Sequence, residues 1–396
     1  MWRWLSLALA LATPATAQDM RGHGGPVRAL SVAGDRVISG SFDTRAIRWE
    51  GVLPAQVVRG HTGAVTAVLA LPEGFATGGQ DGQVVIWGTG PEPLASRPVH
   101  DAPVAALAAT PDGVASGGWD GRIVLPDGTG WEAHQGQVTG LAAFQGGLAS
   151  TGTDLRLRFW QADNLTGSVD MPSPPAALVA TGDTVIVAGA DGVLRRVAPN
   201  GVVMERSLSE RPLPVVALAA GPGLLAAASV SGEVWLVDAD DFTLRVRIET
   251  GQGAIWALAF AGDTLLTGGN DGLIRRWRID GTPLGEGSAT PATADDSRGA
   301  QVWRACAVCH TLDPDDGNRA GPTLHGILGR RIATAPGYAY SDALHRLDIT
   351  WTPDTIAALF EQGPEAYTPG SRMPEQRLPD PADRAALVEY LRANGG

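Results

Sequence analysis

From residue 18 to about 287, apolar and polar positions alternate with a period of two in short runs separated by turns rich in Gly, Pro and Asp. Residues 61–87, HTGAVTAVLALPEGFATGGQDGQVVIW, show the unit plainly. A polar turn leads into an alternating strand, a turn, a second strand ending in Ser or Thr plus Gly, then Asp-Gly and a third strand. The turn residue recurs at Asp43, Asp81, Asp120, Asp154, Asp191, Ser231 and Asp271, with gaps of 34 to 40 residues. Beyond the repeats the period changes. Ser297 opens a helical stretch, SRGAQVWRACAVCH, and Ala382 to Ala393 places Ala386, Leu387 and Tyr390 on one helical face. Between them, Gly285 to Asp296 (GEGSATPATADD) is small, polar and Pro-containing, the composition of a flexible boundary.

Seven small antiparallel sheets that cannot bury both faces alone predict a radial stack, a β-propeller. The unit resembles the WD40 repeat over this whole region. That resemblance implies a buried chain of His, Ser/Thr, Asp and Trp in each blade. His23, His61, His100 and His134 lie twenty residues before their turn aspartates, and Ser39, Thr77, Ser116 and Ser150 four before them. Trp49, Trp87 and Trp160 stand six after three of the aspartates, whereas the third unit has Pro126 there. Units five to seven lack the His, although the seventh keeps Thr267, Asp271 and Trp277. An Asp→Ala change at Asp81 is therefore expected to cost more than one at Asp191. Two segments, Gln18 to Gly22 and Thr282 to Gly287, compete for the outer strand of the seventh blade.

Composition narrows the partners. The 396 residues carry a net charge of −12 and no Lys, so all thirty basic residues are Arg. An acidic, Lys-free chain suits neither nucleic acid nor an anionic membrane. Arg3, the apolar run from Leu5 to Ala12 and Ala15-Thr16-Ala17 read as a signal peptide over residues 1–17, cleaved after Ala17. A periplasmic protein with no membrane span or lipid anchor is the expectation. The propeller holds no Cys, Tyr or Lys, and its four His belong to the repeat. An interaction platform fits this inventory better than a catalytic centre.

The two Cys and the His that follows them, Cys306-Ala307-Val308-Cys309-His310, suit covalent attachment of one c-type haem. A dithiol redox pair or half a zinc site are the alternatives. The first wants a strand–helix setting and the second more ligands nearby. The residues that follow carry a resemblance to class I cytochromes c of the mitochondrial and c2 type, from about Ser297 to Asn394. Its landmarks after the Cys pair are residues 318–330 (NRAGPTLHGILGR), Tyr338-Ala339-Tyr340-Ser341, Ile349-Thr350-Trp351 and residues 367–374 (YTPGSRMP).

The resemblance implies an all-α domain over residues 297–396, following a propeller over 18–284 and a linker over 285–296. It implies thioethers at Cys306 and Cys309 and axial iron ligands His310 and Met373. It implies a Pro322 carbonyl that orients His310, and haem propionate contacts from Arg330, Tyr340 and Trp351. His325 then reads as a loop residue, with His345 as a rival ligand. The lysine ring of the family is missing, while Arg319 and Arg372 remain. The expected function is electron transfer through a His/Met haem to a redox partner protein, with the propeller holding that partner. An oxidoreductase whose propeller hosts a catalytic site fed by the haem is the alternative.

Overall fold

The structure, a computed structural model, describes residues 19–209, 213–285, 297–307, 310–312, 318, 321–338, 340–371, 373, 377–378 and 380–395, without the side chains of Gln301, Arg304, Ala305 and Glu365. The signal segment, most of the linker, Cys309, Arg319 and Arg372 lie outside these residues. Seven antiparallel sheets follow one another, six of four strands and a last of three. Their inner strands are Val27–Ala33, Val65–Leu71, Val104–Thr110, Val138–Phe144, Pro175–Thr181, Val215–Gly221 and Ile255–Ala261. Each packs on the next, and the first packs on the last, so the ring closes. The chain folds as a seven-bladed β-propeller.

The stacking has a simple sequence cause. In four of the seven blades the second strand carries a Gly where a Val of the next blade must fit. A Cβ at Gly40, Gly78, Gly117 or Gly268 would lie within 2.5 to 2.7 Å of Val65, Val104, Val138 or Val27 respectively. Gly268 against Val27 is the closing seam, built like the others.

Both candidate segments share the outer edge of the seventh blade. Met20 pairs with Ile274 at one end, with backbone bonds of 3.0 and 3.2 Å, and is itself buried. At the other end Pro283 bridges to Trp277, and the Leu284 amide donates to the Arg276 carbonyl at 2.8 Å. The hydrogen-bonded chain anticipated in the repeats is complete in three of the first four blades. The Trp49 indole donates to Ser39 Oγ (2.7 Å), Ser39 meets His23 Nε2 (2.6 Å), and His23 Nδ1 meets Asp43 (3.0 Å). Blades two and four repeat this with Trp87–Thr77–His61–Asp81 and Trp160–Ser150–His134–Asp154. Blade three keeps His100–Asp120 and His100–Ser116 and lacks the indole. Trp131 packs against Trp160 instead, ring centroids 5.5 Å apart.

The C-terminal domain contains five helices among the described residues: α1 (Arg298–Cys306), α2 (Asp342–His345), α3 (Pro353–Gln362), α4 (Pro364–Tyr367) and α5 (Pro381–Asn394). Ser297 caps α1 by accepting from the Ala300 amide. α1 and α5 cross closely because residue 299 is Gly; a Cβ there would lie 2.4 Å from the Ala386 carbonyl oxygen. Arg298 bridges the two helices by ion pairs to Asp380 and Asp383, and Trp303 lies against Tyr390.

Candidate cofactor cavity

A core of Trp303, Cys306, Ile327, Ile356, Leu359, Phe360, Leu387, Val388 and Leu391 surrounds one side of a cavity of about 540 Å³. Four short-range devices aim polar side chains into it. First, α1 ends at Cys306, and the His310 amide donates back to the Cys306 carbonyl at 3.0 Å, swinging the imidazole to the cavity wall. Second, His310 Nδ1 donates to the Pro322 carbonyl at 2.7 Å. The proton is thereby fixed on Nδ1, and Nε2 keeps its lone pair for the cavity. Third, Gly321 leaves room for the ring: a Cβ there would lie 2.4 Å from His310 Cε1. Fourth, Ser341 Oγ donates to the Gly370 carbonyl (2.9 Å), and the Met373 amide donates to Ser371 Oγ (3.1 Å), tying the Met373 loop to the start of α2. Met373 lines the cavity with His310 and Cys306.

Arg330, Tyr340, Trp351 and Pro322 line the same cavity. Arg330 and Trp351 are held together by two backbone segments that pair edge to edge. Trp351 donates its amide to the Arg330 carbonyl (2.9 Å), and Gly329 donates to the Trp351 carbonyl (2.8 Å). The Arg330 guanidinium donates to the carbonyls of Thr323 (2.5 Å) and His325 (3.1 Å), so it also braces the loop behind His310. Burial pushes its guanidinium below the ordinary value against the attraction of Tyr340. Burial raises the Tyr340 phenol, while the Ala335 amide that it accepts and Arg330 work the other way.

His325 turns away to the Leu312 carbonyl (3.2 Å). His345 is exposed at the end of α2 against the Tyr340 ring, outside the cavity lining, which takes its neighbour Leu344. Tyr338, Ile332, Leu359 and Phe360 also line the cavity and were not anticipated. For α3 the apolar spacing of Ile356, Leu359 and Phe360 was the available signal. Propeller residues Phe42, Thr62, Gly63, Gln80, Asp81 and Gln83 border the cavity too. No spacing rule could have signalled that, because it depends on two separately folded units.

The donor set fits a flat, largely apolar group with a central metal. One imidazole nitrogen and one thioether face a shared space, a thiol stands at its edge, and Gly321 supplies clearance. Residues 297–394 match the family model for cytochrome c, and residues 53–88 that for the WD domain, G-beta repeat. Cytochrome c of Gibberella zeae is 39% identical over 102 residues, 26% of this chain and 95% of that protein. Cytochrome c2 of Blastochloris viridis is 37% identical over 106 residues, 26% of this chain and 83% of that protein. The crystal structure of the WD40 β-propeller domain of Doa1 superposes with a TM-score of 0.59 at 20% identity, covering 66% of this chain and 95% of that one.

Proposed function

Since the chain belongs through residues 297–394 to the cytochrome c family and carries haem c, we propose that it is an exported electron carrier whose propeller holds the protein with which it exchanges electrons. Haem c supplies a one-electron change at iron without bond making. His310 and Met373 would ligate its iron, and Cys306 with Cys309 would form the thioethers. The observation that carries the ligand assignment is the pairing of His310 Nδ1 with the Pro322 carbonyl, which leaves Nε2 facing the space that Met373 also faces. Arg330, Tyr340 and Trp351 stand ready for the propionates. With His310 and Met373 both serving as ligands, the chain's work would be to bind the group, exclude water and keep those two side chains in place.

Export rests on the pattern of residues 1–17, and the periplasm is the compartment proposed. The partner role of the propeller is supported by its repeat type and by the border it shares with the haem cavity. Among the described residues, no helix is long and apolar enough to cross a membrane.

Replacement of Met373 by Ala tests the ligand set. The reduced wild-type protein is expected to resist carbon monoxide, and the variant to bind it with the optical shift of an opened sixth position. Ready uptake of carbon monoxide by the wild type would remove Met373 from the iron.

A further inference from the structure

Every inner strand of the propeller carries a bulge at the same level, where its register against the second strand slips by one. The unpaired residue is Arg28 in blade one, Thr66 and Thr139 in blades two and four, and Trp256 in blade seven, with Ala105, Ala176 and Val216 in the others. A bulge re-aims a side chain. All seven are partly exposed although their neighbours in the strands are largely buried. Because the inner strands surround the propeller axis, these residues rim the central channel at the end nearest the Asp-containing turns.

Arg28 is the charged member of this rim. It reaches across the closing seam, with Cζ 5.8 Å from the centroid of the Trp256 ring and Nη1 3.5 Å from the Trp256 carbonyl. The Trp256 indole is fixed in turn by donating to Asn270 Oδ1 at 2.6 Å. Neither threonine is bonded to Arg28: Thr66 Oγ1 donates towards the carbonyls of Gly78 and Val104, and Thr139 Oγ1 donates to Thr151 Oγ1. The remaining guanidinium N–H groups of Arg28 meet no acceptor among the described residues. Arginines elsewhere on the same face are different, since Arg158, Arg195 and Arg275 each pair with the aspartate four residues earlier. Burial pushes the Arg28 guanidinium below its ordinary value, and no carboxylate opposes it.

A guanidinium held against an indole, with its remaining donors unpaired among the described residues, matches the two oxygens of a carboxylate. We propose that the channel mouth is a carboxylate-binding site in which Arg28 takes both oxygens and Trp256 forms one wall. The field of a chain with net charge −12 disfavours polyanions, so a singly charged group suits the site better than phosphate clusters or nucleic acid. The inference gives chemistry to the partner-holding role proposed for the propeller, yet its test measures binding alone and needs neither a redox partner nor haem reduction.

Titration calorimetry of the full chain with N-acetyl-Gly-Glu-Gly-amide, its Gln counterpart and free succinate is the experiment. The Glu peptide is expected to bind about tenfold or more tightly than the Gln peptide, and Arg28→Met to abolish the difference while keeping the wild-type unfolding midpoint. Binding of succinate at the strength of the Glu peptide identifies the ligand as a small free carboxylate; weaker binding identifies a peptide. The Trp256 indole resonance, assigned with Trp256→Phe, is expected to shift with the Glu peptide and not with the Gln peptide. This second reading stands even where Arg28→Met does not fold. Equal binding of Glu and Gln peptides, an unmoved Trp256 signal, or unchanged affinity in a folded Arg28→Met would each overturn the proposal.

Discussion

The buried chains of the first blades show how much one residue's chemistry constrains its neighbours. A Trp indole only donates, so the Ser or Thr oxygen that receives it must turn its own hydrogen elsewhere, and the His Nε2 is the acceptor within reach. The ring proton is then on Nδ1, pointing at the Asp. Asp81 also accepts from the amides of Thr62 (2.9 Å) and Gln83 (3.2 Å), so it ties two turns to a core tryptophan. In the seventh blade Gln252 does what His does elsewhere. Its amide donates to Asp271 (3.0 Å), its carbonyl accepts from Thr267 (2.5 Å), and the Trp277 indole closes the chain on Thr267 (3.0 Å). Sequence reading passed over Gln252 because it is not His and stands nineteen residues before its aspartate rather than twenty. Asp191 also departs from expectation. It lacks a His, but it pairs at 2.7 Å with Arg195, whose side chain is 7% exposed. An Arg four residues after the turn Asp, seen again at Arg158 and Arg275, was the legible signal. Asp81→Ala is expected to destabilise the propeller by roughly 1–3 kcal/mol, as a buried donor loses its acceptor. Asp191→Ala should cost at least as much rather than less, because it strands a buried guanidinium beside the largely exposed Glu205. Chemical denaturation of the two variants decides the order.

At the scale of elements, the blades were readable because each is a local hairpin pattern, and the seam was not. The Gly and Val contacts that stack blades, and the sharing of the last edge between Met20 and Pro283, join residues remote in sequence. The same local networks set the response of the blades to acid. Burial lowers the pKa of His100 and His134, with Asp120 and Asp154 opposing. Burial tends to raise Asp43, Asp81 and Asp154, but their hydrogen bonds from His, backbone amides and, at Asp154, Arg158 hold all three below the usual carboxylate range. Unfolded His takes up a proton near pH ~6.5 and unfolded Asp near ~3.9. The folded groups refuse the proton longer in both cases, so stability falls as pH drops below ~6.5 and falls again below ~4. Asp271, raised by burial, works the other way. The unfolding temperature of the propeller is expected to be level from pH 8 to 7 and to decline towards pH 5. His100→Gln with His134→Gln should flatten that first decline; an unchanged slope would place its origin elsewhere.

For the whole molecule the decisive property is charge. From Asp295 to the end there are fourteen acidic residues and ten Arg, and the propeller is acidic as well within a total of −12. The cytochrome landmarks were legible because each fixes one contact in the cavity: His310 on Pro322, Trp351 on Arg330, Met373 on its pinned loop. The partner is not legible in this way, since the chain has no Lys to form the family's lysine ring. A carrier with a ring of lysines is steered to acidic docking sites; this chain is repelled by them at long range. A partner with a basic or largely apolar surface is therefore expected, with the propeller supplying much of the contact. Electron transfer to an oxidase with an acidic docking site is expected to be slow at low salt and to quicken as salt screens the repulsion over a Debye length of about 10 Å at 0.1 M. The isolated cytochrome domain, freed of the propeller's negative charge, should show a shallower dependence. Rates that start fast and fall with added salt would mean that Arg319 and Arg372 alone are enough to steer the encounter, and the expectation of a basic or apolar partner would be wrong.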